Sequence, residues 1–166
     1  MNKLILLAVL AGLAWWYFDY SHRLTETQIR AAYEADTDAL RRFDADSLCA
    51  RMDDDFSAEQ TSRQGDHTTQ LHYDKPGLCA ELRKSVDAMQ RLSAATGGRF
   101  ALDIQQEVKA IELSTDRKHA TVQTVSTIRL GDMTLARDRT TEHLIRRNGH
   151  ILSTGGESRT WAYTPQ

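Results

Sequence analysis

Residues 142–152 read EHLIRRNGHIL, two runs of alternating character joined by Asn148-Gly149. Asn-Gly is the preferred two-residue hairpin connection, because both of its positions need a positive φ. The spacing therefore predicts a β-hairpin, with one strand over 133–146 and the last over 150–161. Gly155-Gly156 falls inside that last strand and implies a bulge or sharp bend.

Working back from the hairpin, Gly131-Asp132 is a second turn and 119–130 a further strand. Before that, Phe100, Leu102 and Ile104 alternate with polar residues, and Val108 to Leu113 continues the same strand. Upstream of Gly98 the period changes. Ile29, Ala32, Tyr33, Leu40 and Phe43 recur at helical spacing from Thr25, where Thr25-x-x-Gln28 resembles a capping box. Asp44 or Asp46 can cap a short helix holding Leu48, Cys49 and Met52, which Asp53-Asp54-Asp55-Phe56 ends. Residues 57–74 are polar and read as a loop with at most one short strand. A third helix comes next, with Asp74 as cap, Pro76 in the first turn, and Leu78, Cys79, Leu82, Val86, Met89 and Leu92 on one side. Thr96-Gly97-Gly98 stops it. Helices first and an antiparallel meander after define an α+β class: three N-terminal helices packed on a curved antiparallel sheet.

The 166 residues leave one domain of about 140 once the apolar head is set aside. Formal net charge is −2, so no global field selects nucleic acid as a partner. Mean hydropathy is −0.52 despite the apolar start.

That start is a continuous apolar run from Leu4 to Phe18, preceded by Lys3. Its length fits a signal-peptide core and is short for a span, which needs about 17–25 residues. The C-terminal end of the run favours retention. Trp15-Trp16-Tyr17-Phe18 are large amphipathic rings suited to a membrane–water interface, where signal peptidase would need small residues. Extension to Tyr20 approaches a thin span, and cleavage after Gly12-Leu13-Ala14 is the alternative. The expectation is a single-pass signal-anchor over residues 1–23, contacting the membrane through residues 4–20, with the domain at 24–166. With Lys3 inside, that domain faces the periplasm of a bacterial inner membrane; a cleaved signal would leave a soluble periplasmic protein.

The stretches ALRRFDADSLCARMDDDF (39–56), KPGLCAELRKSV (75–86) and EHLIRRNGHIL resemble the nuclear transport factor 2-like superfamily, which includes ketosteroid isomerase-like and polyketide cyclase-like proteins. The resemblance covers roughly residues 28–161. Phe43 stands where the family usually has Gly, and His150-Ile151 where Trp is common. The resemblance implies a cone with a pocket between the concave sheet and the helices. It also places the steroid-isomerase base at Gln60 and the oxyanion-hole Tyr at Asp36. Gln has no basic site near neutral pH, so that activity is not expected here. Glu59 can serve only if the register slips by one.

Cys49 and Cys79 are the only cysteines, and export to an oxidising compartment favours a disulfide between them. Closing a loop of about 30 residues contributes roughly 3–4 kcal/mol in the chain-entropy model. Two buried thiols are the alternative. His67 and His72, with Asp66 and Asp74, match no metal-site spacing, and Asp53-Asp54-Asp55 lacks the ligand alternation of a calcium loop. No metal or cofactor is expected.

In the strand LARDRTTEHLIRR, residues Arg137, Arg139, Thr141 and His143 share one side, and Asp138, Thr140, Glu142 and Leu144 the other. Arg139, Glu142, His143 and Glu157 are pocket candidates beside Asp36, Glu59 and Gln60; cross-strand ion pairing is the plainer alternative. Arg137 and Arg139 are interface candidates, able to bind carboxylates of a partner in bidentate fashion. Two functions remain open. One is a non-catalytic, membrane-anchored envelope module that binds other envelope proteins or a second copy of itself. The other is a small-ligand-binding or cyclase/isomerase-like pocket enzyme.

Overall fold

The computed structural model describes residues 2–95 and 102–163. Phe100 and the helix stop at Thr96-Gly97-Gly98 lie outside the described residues. The described residues form four helices, α1 (Asn2–His22), α2 (Glu26–Arg41), α3 (Ala45–Ala50) and α4 (Lys75–Ala95). They also form six strands, β1 (Met52–Gln64), β2 (His67–Asp74), β3 (Leu102–Leu113), β4 (His119–Leu130), β5 (Met133–Arg147) and β6 (His150–Ala162). The strands make one sheet in the order β2-β1-β6-β5-β4-β3.

The helix starts obey their caps. Thr25 is extended and its hydroxyl accepts the Gln28 N–H at 3.3 Å. Asp44 does the same for Ser47 at 3.0 Å, and Asp74 for Gly77 at 2.9 Å. Each satisfies a donor that the first helical turn leaves orphaned. The β5–β6 turn is as its residues dictate, with Asn148 at φ 52° and Gly149 at φ 82°.

Three expectations need correction. Residues 57–74 are not a loop: Ser57–Gln64 pairs in register with His67–Asp74 as a β-hairpin. Nearly every residue of β2 is exposed, so the strand carries no apolar alternation to betray it. Asp53-Asp54-Asp55-Phe56 does not end a helix but opens β1. The sheet is not wholly antiparallel, because β1 runs parallel to β6. Accordingly α4 does not precede the sheet; it comes after the β1–β2 hairpin and returns across it.

Among the described residues, two apolar clusters pack the helices against the sheet. Leu24, Ile29 and Tyr33 pack on Ala120, Val122 and Leu144 of the sheet. Cys49, Met52, Phe56 and Cys79 form the second cluster, where a disulfide joins Cys49 of α3 to Cys79 of α4 with Cα atoms 5.6 Å apart. That separation is the usual one for a disulfide.

The expected bend in β6 is present. Gly155 and Gly156 have φ of 117° and 152°, and the pairing with β5 shifts register between His143 and Leu144. A Cβ on Gly155 would lie 1.7 Å from the Ser57 carbonyl oxygen, and one on Gly156 would lie 2.1 Å from that of Thr141. Only glycine lets three strands approach this closely.

Helix α1 stands apart from both clusters. Its apolar residues Ile5, Leu6, Leu7, Val9, Leu10 and Leu13 and its rings Trp15, Trp16 and Tyr17 are all exposed. Among the described residues, no helix is long and apolar enough to cross a membrane. The joint to the domain is nevertheless tight. Leu24 is fully buried and its N–H donates to the Arg117 carbonyl at 2.6 Å; Arg146 donates to the Arg23 carbonyl at 2.9 Å.

Candidate functional site

A cavity of about 680 Å³ lies between the concave face of the sheet and helices α2–α4. Its two walls differ in chemistry. The helical side is mostly apolar, with Leu40, Leu48, Leu78, Leu82 and Met89 beside the acidic Asp36 and Glu81. The sheet side is polar, because the inward positions of β5 are Asp138, Thr140 and Glu142, and those of β6 are Ser158 and Thr160. Strand alternation alone brings these side chains to one face.

Tyr33, 6% exposed, reaches from α2 to donate its hydroxyl to Glu142 Oε2 on β5. Glu142 sits opposite Gly156 in the ladder, where β6 offers no side chain to crowd it. One helical turn beyond Tyr33, Asp36 pairs with Arg51 at 3.0 Å, and the Arg51 guanidinium carbon lies 6.0 Å from the centre of the Tyr33 ring. Burial pushes the Asp36 carboxyl up to about 6; the Arg51 charge opposes this, and Glu142 adds to it. Burial likewise drives the Tyr33 phenol far above its usual range, helped by the charge of Glu142 and by their hydrogen bond.

Further along β5, Asp138 accepts from Thr140 at 2.5 Å and from Thr160 at 2.8 Å. Gln60 of β1 donates to the Thr160 hydroxyl at 3.4 Å. The site therefore holds three carboxyl groups, each with a partner, in a largely apolar cavity. Such groups can bind a polar ligand head or exchange a proton with it.

Asp36, Gln60 and Glu142 all line the cavity. Glu59 and Glu157 are register neighbours on β1 and β6 and contribute to its lining, but both are exposed. Glu59 therefore does not take the place of Gln60 as an enclosed base. Arg139 and His143 need correction as pocket candidates: strand alternation turns them, with Arg137, to the opposite face. There Arg139 lies over the Trp161 ring at 5.9 Å, and the His143 ring meets the Thr121 hydroxyl at 3.3 Å. His67 and His72 are exposed on β2, five residues apart and hence on opposite faces. Among the described residues, no group of three or more metal-ligating side chains is placed to hold an ion.

Sequence reasoning missed Tyr33, Arg51 and Asp138 as site residues. Tyr33 read as core, although it stands one turn before Asp36. Asp138 shares the strand face of Glu142 and was legible from that spacing. Arg51, just past a short helix, carried no signal.

No protein-family model matches the chain, and no curated protein matches it. Solved structures do. An NTF2-like protein of unknown function from Pseudomonas putida KT2440 is 16% identical, with 81% of this chain and 84% of that one covered at a TM-score of 0.53. An NTF-2 like protein of unknown function from Silicibacter pomeroyi DSS-3 is 13% identical, covering 82% and 99% at 0.52. A domain of unknown function with a cystatin-like fold from Nostoc punctiforme PCC 73102 is 14% identical, covering 84% and 78% at 0.55. Likeness at this level of identity carries the fold and none of the chemistry.

Proposed function

From this NTF2-like fold, we propose that the chain is a small-ligand-binding domain held at a membrane by α1. The observation that carries the reading is the cavity of about 680 Å³ in which an apolar wall faces the Tyr33–Glu142, Asp36–Arg51 and Asp138–Thr160 pairs. A cavity of this size with a few convergent polar groups is the usual form of a small-molecule site. The raised Asp36 carboxyl offers an acid/base group near neutral pH, which keeps a cyclase- or isomerase-like reaction within the same reading.

The membrane part rests on the exposed apolar side chains from Ile5 to Tyr17, which have no polar face and need an apolar surrounding. With Lys3 on the inner side, the domain stands in the periplasm, an oxidising compartment suited to the Cys49–Cys79 disulfide.

The test uses the neutral fluorophore N-phenyl-1-naphthylamine. Its emission rises on titration into the full chain, and the rise is lost in Ala58→Trp, which fills the cavity. An equal rise in that variant, or none in the parent, overturns the reading. Retention on lipid vesicles of the parent but not of Leu7→Asp/Leu10→Asp tests the tether.

A second reading has its own support. Arg137, Arg139 and Arg159 are exposed on the outer face of the sheet, and among the described residues none has an acidic partner. Arg139 and Arg159 are direct cross-strand neighbours, an unfavourable like-charge pairing. Docking of an acidic surface, from another envelope protein or a second copy, offsets it. Arg137→Ser/Arg139→Ser then loses the complex in co-purification with little change in melting temperature; intact association ends this reading.

A further inference from the structure

We propose that the cavity selects a cationic ligand: an amine or quaternary ammonium head on an apolar body. This deepens the small-ligand reading and rests on it. The charges facing the cavity are unbalanced. Asp36, Asp138 and Glu142 present carboxyl groups to its interior. Arg51 is the one basic side chain among the described residues lining it, and Asp36 already holds Arg51 at 3.0 Å. No second cation is available to Glu142 or Asp138 among those residues. Their described partners are the hydroxyls of Tyr33, Thr140 and Thr160.

The hydroxyls of Tyr33, Thr140 and Thr160 are directed at these carboxyl groups, while acceptor capacity is left over. A carboxylate has about four lone-pair sites, and Glu142 is met by one hydroxyl and Asp138 by two. An anionic ligand finds repulsion from these carboxyl groups, and the one cation, Arg51, is already paired with Asp36. A cation finds two acids on one strand face, four residues apart. It also finds the rings of Phe56 and Tyr73, which line the same cavity and whose faces attract ammonium groups. The apolar wall of α2–α4 takes the remainder of such a ligand.

Three probes with one octyl chain separate the possibilities: octyltrimethylammonium, octanol and octanoate, each displacing N-phenyl-1-naphthylamine. The cation is expected to displace at a concentration at least tenfold below that of octanol, with octanoate weakest. Glu142→Gln and Asp138→Asn, checked for folding by circular dichroism, each narrow the cation-to-alcohol ratio several-fold. The conservative Glu142→Asp retains part of it. Octanol or octanoate displacing as well as the cation overturns the charge selectivity while leaving the ligand-binding reading intact. So does a ratio unmoved in both acid variants. Failure of the fluorophore itself to bind overturns the ligand-binding reading, and the selectivity with it.

Discussion

The Tyr33 hydroxyl donates to the Glu142 carboxylate across 109 residues of sequence, tying α2 to the middle of β5 at the cavity wall. Tyr33 is buried and Glu142 half-buried, so neither is fully served by water. Tyr33→Phe leaves the Glu142 oxygen without that donor. Chemical denaturation should show a loss of about 1–3 kcal/mol, the cost of an unmade bond to a charged group. A loss indistinguishable from zero would mean that water replaces the phenol at no cost.

Asp36 makes stability depend on pH. Its folded carboxyl titrates at about 6, above the ordinary aspartate value of 3.8. Between those values the folded state binds more protons than the unfolded state, so stability falls as pH rises from about 4 to 6 and this contribution levels off above. Asp36→Asn removes that slope. Melting temperatures measured across this range in parent and variant check it, and an unchanged slope assigns it to another group.

The Cys49–Cys79 bridge closes a segment with a sequence separation of 30. Cys49→Ala/Cys79→Ala should lower unfolding free energy by about 2–4 kcal/mol in the chain-entropy account. Thiol titration of the oxidised, unfolded parent should find no free thiols, and two would refute the bridge.

Gly155→Ala tests the bend of β6. The added methyl collides with the backbone of Ser57, which has no means of swinging aside as a side chain would. Loss of more than about 2 kcal/mol is expected, in the range of strain at a glycine-only position combined with overpacking. The equivalent change at Gly65, also at positive φ but with open space around it, should cost about 1 kcal/mol or less. Equal costs at the two sites would mean that the close approach of strands is not what demands glycine.

Among the later strands, β4 and β5 were legible from the glycine turns that end them, and β3 from its alternation of apolar and polar residues. The capped helices were legible for the same local reason: Thr25, Asp44 and Asp74 announce themselves. The β1–β2 hairpin was not. Exposed on almost every residue, β2 has no side that must be apolar, and its existence depends on main-chain bonds that leave no mark in composition. Phe43 is a further instance. It adopts a φ of 59° where the related pattern has Gly, so the turn is kept by its surroundings in spite of its residue. For the site, resemblance put Asp36 at the pocket, and Glu142 was named among the ionisable residues of a strand whose two faces were not told apart. Arg139 and His143 were put in the wrong set because both faces of that strand are polar, and parity alone does not say which is enclosed.

The parallel contact of β1 with β6 has a consequence in time. Gln60 and Thr160, bonded across that contact, are 100 residues apart, so β1 waits for its second neighbour until all the strands between them have been made. Over that interval the β1–β2 hairpin and α4 are the growing chain's early half, with the edge of β1 open to any strand that comes near. Cys49 and Cys79 both belong to that half. A bond between them needs nothing from β3 onward, and would secure the early half while its open edge awaits β6.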